Sequence, residues 1–534
     1  MSVLPSPAAA AAPAAPRARS WIIAPVVGLA AFMEVLDISI ANVALQHIAG
    51  NLSASQDQST WVLTSYLAAN AIVLPMSGWL ASTIGRRRYF LGCIIGFSVT
   101  SLFCGLAPNL ELLILARALQ GATGGGLQPN AQAILADAFP PHKRGQAFAA
   151  FGIAVIVAPV IGPTVGGWIT DSFSWRWVFL LNVPVGVIVS LLAARVVVDP
   201  PERTAARKAL LARGVRFDYV GFALLVVGMC TLQVVLDKGQ QNDWWGSSLI
   251  VYLSIAAAVS LVTFVIWELR RRDPVVDLRL LATPNFAIGN LLMFTLGFIL
   301  NSSTVLLPQF VQALMGYTAT DAGLVLSPGG LAAMFMMPVI GNLVARVDAR
   351  WLIAFGLTIC SFGLFHMTRF YLDVDYNTFA WARVYQSIGL AFLFIPINTV
   401  AYIGVAPQKN NDASAIINMM RNLGGSFGIS LATTLLARRQ QYHQSVLVEH
   451  VGPYSSQYHD TIQQMQQAFL PQSSSAVDAL HRAQALLYAT VQKQAALLSY
   501  IDTFWILAVG FMALVPLIFL LRKPKPGAGA PPAH

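Results

Sequence analysis

Charge is what this chain has least of: Asp, Glu, Lys and Arg make up 10% of its 534 residues, against about 25% in a soluble globular protein. With 56% hydrophobic residues and a mean hydropathy of +0.64, that scarcity excludes a soluble globule. Cysteine is scarce as well. Cys93, Cys104, Cys230 and Cys360 lie in apolar runs without C-x-x-C spacing, so they read as packing residues rather than a disulfide frame or a metal site. There is no G-x-x-x-x-G-K-[ST] phosphate loop, and Gly124-Gly125-Gly126 sits inside an apolar run with no Lys after it, which excludes a P-loop ATP-driven pump. His47, His142 and His366 are scattered towards the ends of apolar runs without paired spacing. No catalytic residue, metal site or cofactor is therefore expected, and the chain does not read as an enzyme.

What fills the chain instead is apolar runs. Each is near the ~20 residues needed to cross ~30 Å of hydrocarbon as a helix, and they begin at roughly fourteen places between Ile22 and Thr503. The net charge of +10 does not point to nucleic acid, because the basic residues alternate between loops. With the N-terminus inside, about 23 of the 33 Lys and Arg fall in inner loops, as the positive-inside rule requires. The expectation is a multi-pass protein with both termini cytoplasmic. Residues 1–20, rich in Ala and Pro and lacking a charged leader, read as a disordered cytoplasmic tail.

A repeat organises the runs. Gly78-x-Leu80 with Gly85 and Arg87 is echoed by Gly341-x-Leu343 with Asp348 and Arg350, and Arg117-x-x-Gln120 by Arg383-x-x-Gln386. Order and spacing agree, which predicts an all-α membrane protein of two six-helix halves related along the membrane normal. An extra hairpin, roughly Phe217 to Leu269, separates them. The expected divisions are 21–198 for the first half, 199–284 for the linker and hairpin, and 285–522 for the second half. A cytoplasmic tail, 523–534, closes the chain. Within the second half, 438–500 reads as an extracytoplasmic segment whose Gln-rich amphipathic runs suit helices packed on each other or on a partner.

Each ionisable group inside lipid costs about 2.5 to 3.5 kcal/mol at a helix centre, so the few present point to chemistry. Glu34 and Asp37, three residues apart on one helix face, are the only acids well inside a run. Counting rise per residue puts Asp37 about 15 Å and Arg117 about 10 Å from the outer boundary, so the two can meet. Either they neutralise each other as a buried pair, or the carboxylate exchanges its proton. Glu34 has no basic residue assigned to it. In the second half, Asn418 and Arg421 bring amides and a charge into one span, where Arg421 answers Glu34, holds an anionic substrate or caps a neighbouring helix. Gly162-Pro163-Thr164-Val165-Gly166-Gly167 puts a helix breaker and side-chain-free positions inside another span, predicting a bend and a close neighbour.

These strings resemble a known family over nearly the whole chain. Ala158-x-x-x-Gly162-Pro163-x-x-Gly166-Gly167 resembles the antiporter motif of drug exporters in the major facilitator superfamily, with Ala158 in place of a glycine. Leu36-Asp37-Ile38-Ser39-Ile40-Ala41-Asn42-Val43-Ala44-Leu45 resembles the first-span signature of its fourteen-span drug:proton antiporters, with Gln46 in place of the usual closing proline. Leu115-Ala116-Arg117-Ala118-Leu119-Gln120-Gly121 resembles their fourth-span motif. Gly78-Trp79-Leu80-Ala81-Ser82-Thr83-Ile84-Gly85-Arg86-Arg87 resembles the superfamily's cytoplasmic-loop motif, but Ser82 stands where Asp is usual, which leaves the charge relay of that loop in question.

The resemblance implies a major facilitator fold with an inserted two-helix hairpin, and export of lipophilic drugs or toxic compounds in exchange for protons by alternating access. Asp37, Glu34 and Arg117 would serve proton coupling. Asn42, Gln120, Asn418 and Arg421 would line the substrate cavity, Gly162, Pro163, Gly166 and Gly167 would form the hinge, and Gly78, Gly85, Arg86 and Arg87 the cytoplasmic loop gate. Implied partners are lipophilic small molecules, protons and the lipid bilayer, with an EmrA-type membrane-fusion adaptor and an outer-membrane channel. The implied setting is the inner membrane. The rival reading is a proton-coupled importer of a small polar solute, against which the Gly-Pro-x-x-Gly-Gly string is the main evidence.

Overall fold

The computed structural model describes residues 17–199, 201–212, 218–271, 274–451, 456–473 and 475–521, so most of the N-terminal tail and the tail 523–534 lie outside the described residues. Arg17 to Ser20, expected in the tail, are the first turn of α1, Arg17–Asn51. The first half continues with α2 (Trp61–Ile84), α3 (Arg86–Leu106), α4 (Leu110–Gly124), α5 (Leu127–Ala138), α6 (Arg144–Ser172) and α7 (Asn182–Val196). The inserted hairpin is α8 (Tyr219–Lys238) and α9 (Ser248–Arg270). In the second half follow α10 (Pro284–Met315), α11 (Ala319–Leu343), α12 (Ala349–Met367), α13 (Tyr376–Ala401), α14 (Asn410–His450), α15 (Ser456–Phe469) and α16 (Ala476–Met512).

Among the described residues, eleven helices are long and apolar enough to cross a membrane, and α6 makes a twelfth once its two bent segments are joined. The remaining two runs read from the sequence correspond to α4 with α5, broken at Gly125-Gly126, and to α14; both carry buried amides and charges. At four helix starts, side chains take up free N–H groups of the first turn: Asn109 caps α4, Thr318 α11, Asp375 α13 and Ser475 α16. Leu249, Tyr252, Ile255, Val259, Val262 and Ile266 recur every three or four residues along α9 and are exposed, an apolar stripe of the kind lipid covers.

The halves meet along α6 with α11, α2 with α14 and α5 with α14. The hairpin's α8 lies against α2 and also touches α14. Its polar atoms bond to both: Lys238 Nζ donates to Thr60 Oγ1 at 2.9 Å, Ser426 Oγ to Gln233 Oε1 at 3.1 Å, and Trp244 Nε1 to Thr434 Oγ1 at 3.2 Å. Helices α14 and α16 run unbroken through Arg438 and Tyr500, the ends read for the extracytoplasmic segment, and pack on each other with α15 laid on α16.

Candidate functional site

Asp37 sits on α1 with 1% of its surface exposed, and its carboxylate is saturated. Arg117 Nη1 of α4 donates to Oδ2 at 2.6 Å, while Gln120 Nε2 and Asn182 Nδ2 donate to Oδ1 at 3.0 and 2.6 Å. The guanidinium is itself held, with Nε donating to the Val62 carbonyl at 3.1 Å and the plane 4.3 Å from the Tyr66 ring centroid. A buried pair supported in this way is held by its surrounding donors, because charge attraction alone does not repay the loss of water. The depth count from the two helix ends thus brings together the residues it should. Asn182 and Tyr66 were not foreseen; an amide at the start of an apolar run was the signal for the first, and nothing in the pattern marked the second.

Glu34, one turn away and 2% exposed, is served differently. Asn70 Nδ2 donates to Oε1 at 3.2 Å, and Oε2 has no partner. Arg421 does not pair with it. Its Nη2 donates to Gln128 Oε1 on α5, and Nη1 is without a partner. Asn422 Nδ2 reaches Asn70 Oδ1 at 3.4 Å, so both charges end on amides where the halves meet. Arg421 therefore answers Gln128 rather than Glu34.

The residues read as one substrate cavity do not share a lining in this structure. Gln120 belongs to the Asp37 network, and Asn42 is exposed on α1. Asn418 is fully buried: its Nδ2 donates to Gln132 Oε1 at 2.8 Å and Gln132 Nε2 returns a bond at 3.4 Å. The reason is that α5 and α14 are in contact at this level, so their polar side chains bridge the halves instead of facing a common space.

On α6 the axis turns by 42° between Arg144–Pro159 and Ile161–Ser172. Pro163 explains where: its ring has no N–H for the carbonyl four residues back, that of Pro159, and pushes it aside. Ser39 of α1 supplies the missing donor, its Oγ lying 3.3 Å from Pro159 O. That approach needs Gly162, since a Cβ there would stand 2.4 Å from Ser39 Oγ, and Gly166, whose Cβ would stand 2.9 Å from Ile40 Cγ2. Gly167 is buried beside them, its carbonyl accepting from Thr170 Oγ1 at 3.0 Å. Ser39 lies two positions after Asp37, so the acid and the contact to the bend share one turn of α1.

At the other end of the halves, Gly78 lets α2 meet α14; a Cβ there would lie 2.8 Å from Asp412 Cα. Gly85 holds φ at +100°, a conformation open to glycine, and turns the chain into α3. Arg86 pairs with Asp137 of α5, whose other oxygen accepts from Asn410 Nδ2 at 2.6 Å. Arg87 turns the other way, its Nη2 donating to the Ala194 carbonyl at 2.6 Å and its backbone N–H to Asp199 Oδ1 at 3.0 Å. Ser82 bonds only locally, to the Trp79 carbonyl at 2.8 Å. The acid that Ser82 does not supply comes from Asp137, and the contact to the second half runs through it to Asn410.

Residues 27–429 match the family profile of the Major Facilitator Superfamily. The chain belongs to the major facilitator superfamily. It is 36% identical over 510 residues to the multidrug export protein EmrB of Escherichia coli, covering 95% of this chain and 96% of that one. It is 35% identical over 503 residues to the fatty acid resistance protein FarB of Neisseria gonorrhoeae, covering 94% and 96%. Among solved structures, the proton:xylose symporter XylE of the same superfamily overlays with a TM-score of 0.58 at 15% identity, covering 93% of this chain and 96% of that one, a likeness of fold alone. The protein is thus an EmrB-like, multi-span membrane transporter of the superfamily, with relatives that transport rather than catalyse.

Proposed function

We propose that this protein is a secondary active exporter that extrudes lipophilic drugs or other toxic compounds in exchange for protons, by alternating access. Its likeness to EmrB and FarB over nearly its whole length supports the substrate class and the direction. The observation that carries the coupling is the pair of carboxylates on α1, one saturated by three donors and one with a free oxygen beside the interface of the halves. Protonating Asp37 would remove its charge from Arg117 and leave Gln120 and Asn182 with a weaker acceptor. The displaced α1 then carries Ser39 with it and loosens the carbonyl of Pro159, passing a proton event to the bend of α6. Glu34 offers a second proton position where Asn70, Gln128, Arg421 and Asn422 join the halves.

In this reading the halves are 21–198 and 285–522, the hairpin lies in 199–284, and both termini are on the cytoplasmic side of the inner membrane. The helical projection of α14, α15 and α16 serves as the face for an EmrA-type adaptor leading to an outer-membrane channel. Asn42, Asn418 and Arg421 come to line a shared cavity when α5 and α14 separate, and Gly78, Gly85, Arg86 and Arg87 latch the cytoplasmic side. Counterflow in inverted vesicles tests the direction: an imposed inward-acidic proton gradient should drive lipophilic drug into the lumen. No gradient-driven accumulation by protein that binds drug would overturn the proposal.

A further inference from the structure

The second half repeats the first half's buried arginine without its acid. Arg117 lies 80 residues after Asp37 and three before Gln120; Arg383 lies 80 after Ser303 and three before Gln386. The Nη1 contacts correspond until the acid is reached, whereas Nε, which meets the Val62 carbonyl in the first half, has no acceptor in the second. Arg117 Nη1 donates to Gln120 Oε1 at 2.8 Å and to Asp37 Oδ2 at 2.6 Å, while Arg383 Nη1 donates to Gln386 Oε1 at 2.5 Å and to Ser303 Oγ at 3.2 Å. In the first half Gln120 Nε2 also donates to Asp37 Oδ1, at 3.0 Å. Its counterpart Gln386 Nε2 has no acceptor, and neither has Arg383 Nε.

Arg383 is 2% exposed and Gln386 fully buried. Among the described residues no Asp or Glu pairs with this guanidinium, and the other ionisable group facing it is the Cys360 thiol of α12. A guanidinium does not give up its proton in a protein. An unpaired buried charge is far more costly than a neutral hydrogen bond can repay. Ser303 is shorter than Asp by one carbon and one oxygen, so the side chain recedes where the first half places a carboxylate. The walls are otherwise close, since a Cβ on Gly329 would stand 2.6 Å from Arg383 Cγ and 2.5 Å from Ser387 Oγ. What these donors lack is a single negative charge of small size.

We propose that Arg383, Gln386 and Ser303 bind a small monovalent anion of the halide class, chloride in a cell, in the position that the Asp37 carboxylate holds in the first half. The guanidinium supplies the charge and Gln386 Nε2 a free donor; Ser303 Oγ–H, which donates to the Ile299 carbonyl at 2.8 Å, completes the set by turning to the anion. The anion makes the second half electrically equivalent to the first, with a bound ion in place of a side chain.

The test is thermal unfolding of the purified full chain in detergent, with gluconate exchanged for chloride or bromide at constant ionic strength. The wild type should gain about 2 °C or more in Tm from either halide. Arg383→Gln should lose that dependence. Ser303→Asp, which restores the acid found in the first half, should lose it too, and in gluconate should unfold no lower than the wild type does in chloride. If Arg383→Gln does not fold, Ser303→Asp decides alone. A wild type indifferent to both halides, or a Ser303→Asp protein with the full halide dependence, would overturn the proposal. So would stabilisation by decanoate but not by chloride, which would assign the donors to a lipophilic carboxylate.

Discussion

Replacing Pro163 by Ala separates a working bend from mere packing. The arm of α6 beyond the bend, Ile161–Ser172, is about 18 Å long at ~1.5 Å per residue, and a 42° bend at its base offsets its tip by about 12 Å from a straight helix. An alanine at 163 brings back the N–H that Pro159's carbonyl lacks, in competition with the 3.3 Å bond from Ser39. Relief of an interior proline is worth up to about 3 kcal/mol, enough to bias a two-state helix by roughly 150-fold towards the straight form. Drug binding and proton-driven flux are then measured on the same purified protein. The expected result is retained binding with flux reduced tenfold or more, because one of the two states is lost while the binding groups are untouched. Full flux with normal binding would refute the reasoning and leave Gly162 and Gly166 as packing residues only.

Asp37→Asn should abolish proton-driven export while leaving insertion and yield near normal, since an amide still fits among Arg117, Gln120 and Asn182; unchanged export under a proton gradient would contradict this. Arg117→Ala should be the more damaging of the two for folding, by about 3 to 5 kcal/mol, because it leaves a buried carboxylate short of its charged donor; a melting curve matching the wild type would show the pair to be dispensable. Gly162→Ala should reduce stability, since its Cβ would stand 2.4 Å from Ser39 Oγ and 2.5 Å from Ser39 Cβ, and Ser39→Gly in the same chain, which removes both atoms, should restore part of the loss, read as non-additivity of the two Tm shifts. Gly78→Val should keep α2 from α14 at Asp412, so cysteine cross-linking between the Ile84 end of α2 and the Asn410 end of α14 should fall while cross-links towards Trp61 persist.

Much of this was legible in one dimension, and the limit is physical. Apolar runs located the membrane helices, and a depth count placed Asp37 opposite Arg117. Helix rotation was not readable. Whether an amide turns towards a charge depends on interhelical packing, so Asn182 closing the Asp37 network, Gln128 taking Arg421 and Ser39 serving Pro159 appear only in three dimensions. The same rotation puts Asn42 outside the buried network although it lies in the first-span string. In the Gly78–Arg87 string, Ser82 stands where an acid is usual, and the acid that pairs with Arg86, Asp137, lies on another helix with no fixed spacing to the motif.

The bonds that join the halves are mostly neutral: Gln132 with Asn418, Gln146 with Asn342 at 2.6 Å, and Asn70 with Asn422. A neutral hydrogen bond contributes about 0.5 to 1.5 kcal/mol net, whereas one elementary charge crossing 100 mV releases about 2.3 kcal/mol. Under the proposed proton exchange, the seam is therefore matched in strength to the voltage across an energised membrane. One proton's passage is of the same order as undoing two or three amide contacts, and water can satisfy those amides as soon as they part. Ion pairs in the same places would raise the threshold beyond a single proton and turn a reversible seam into a permanent weld.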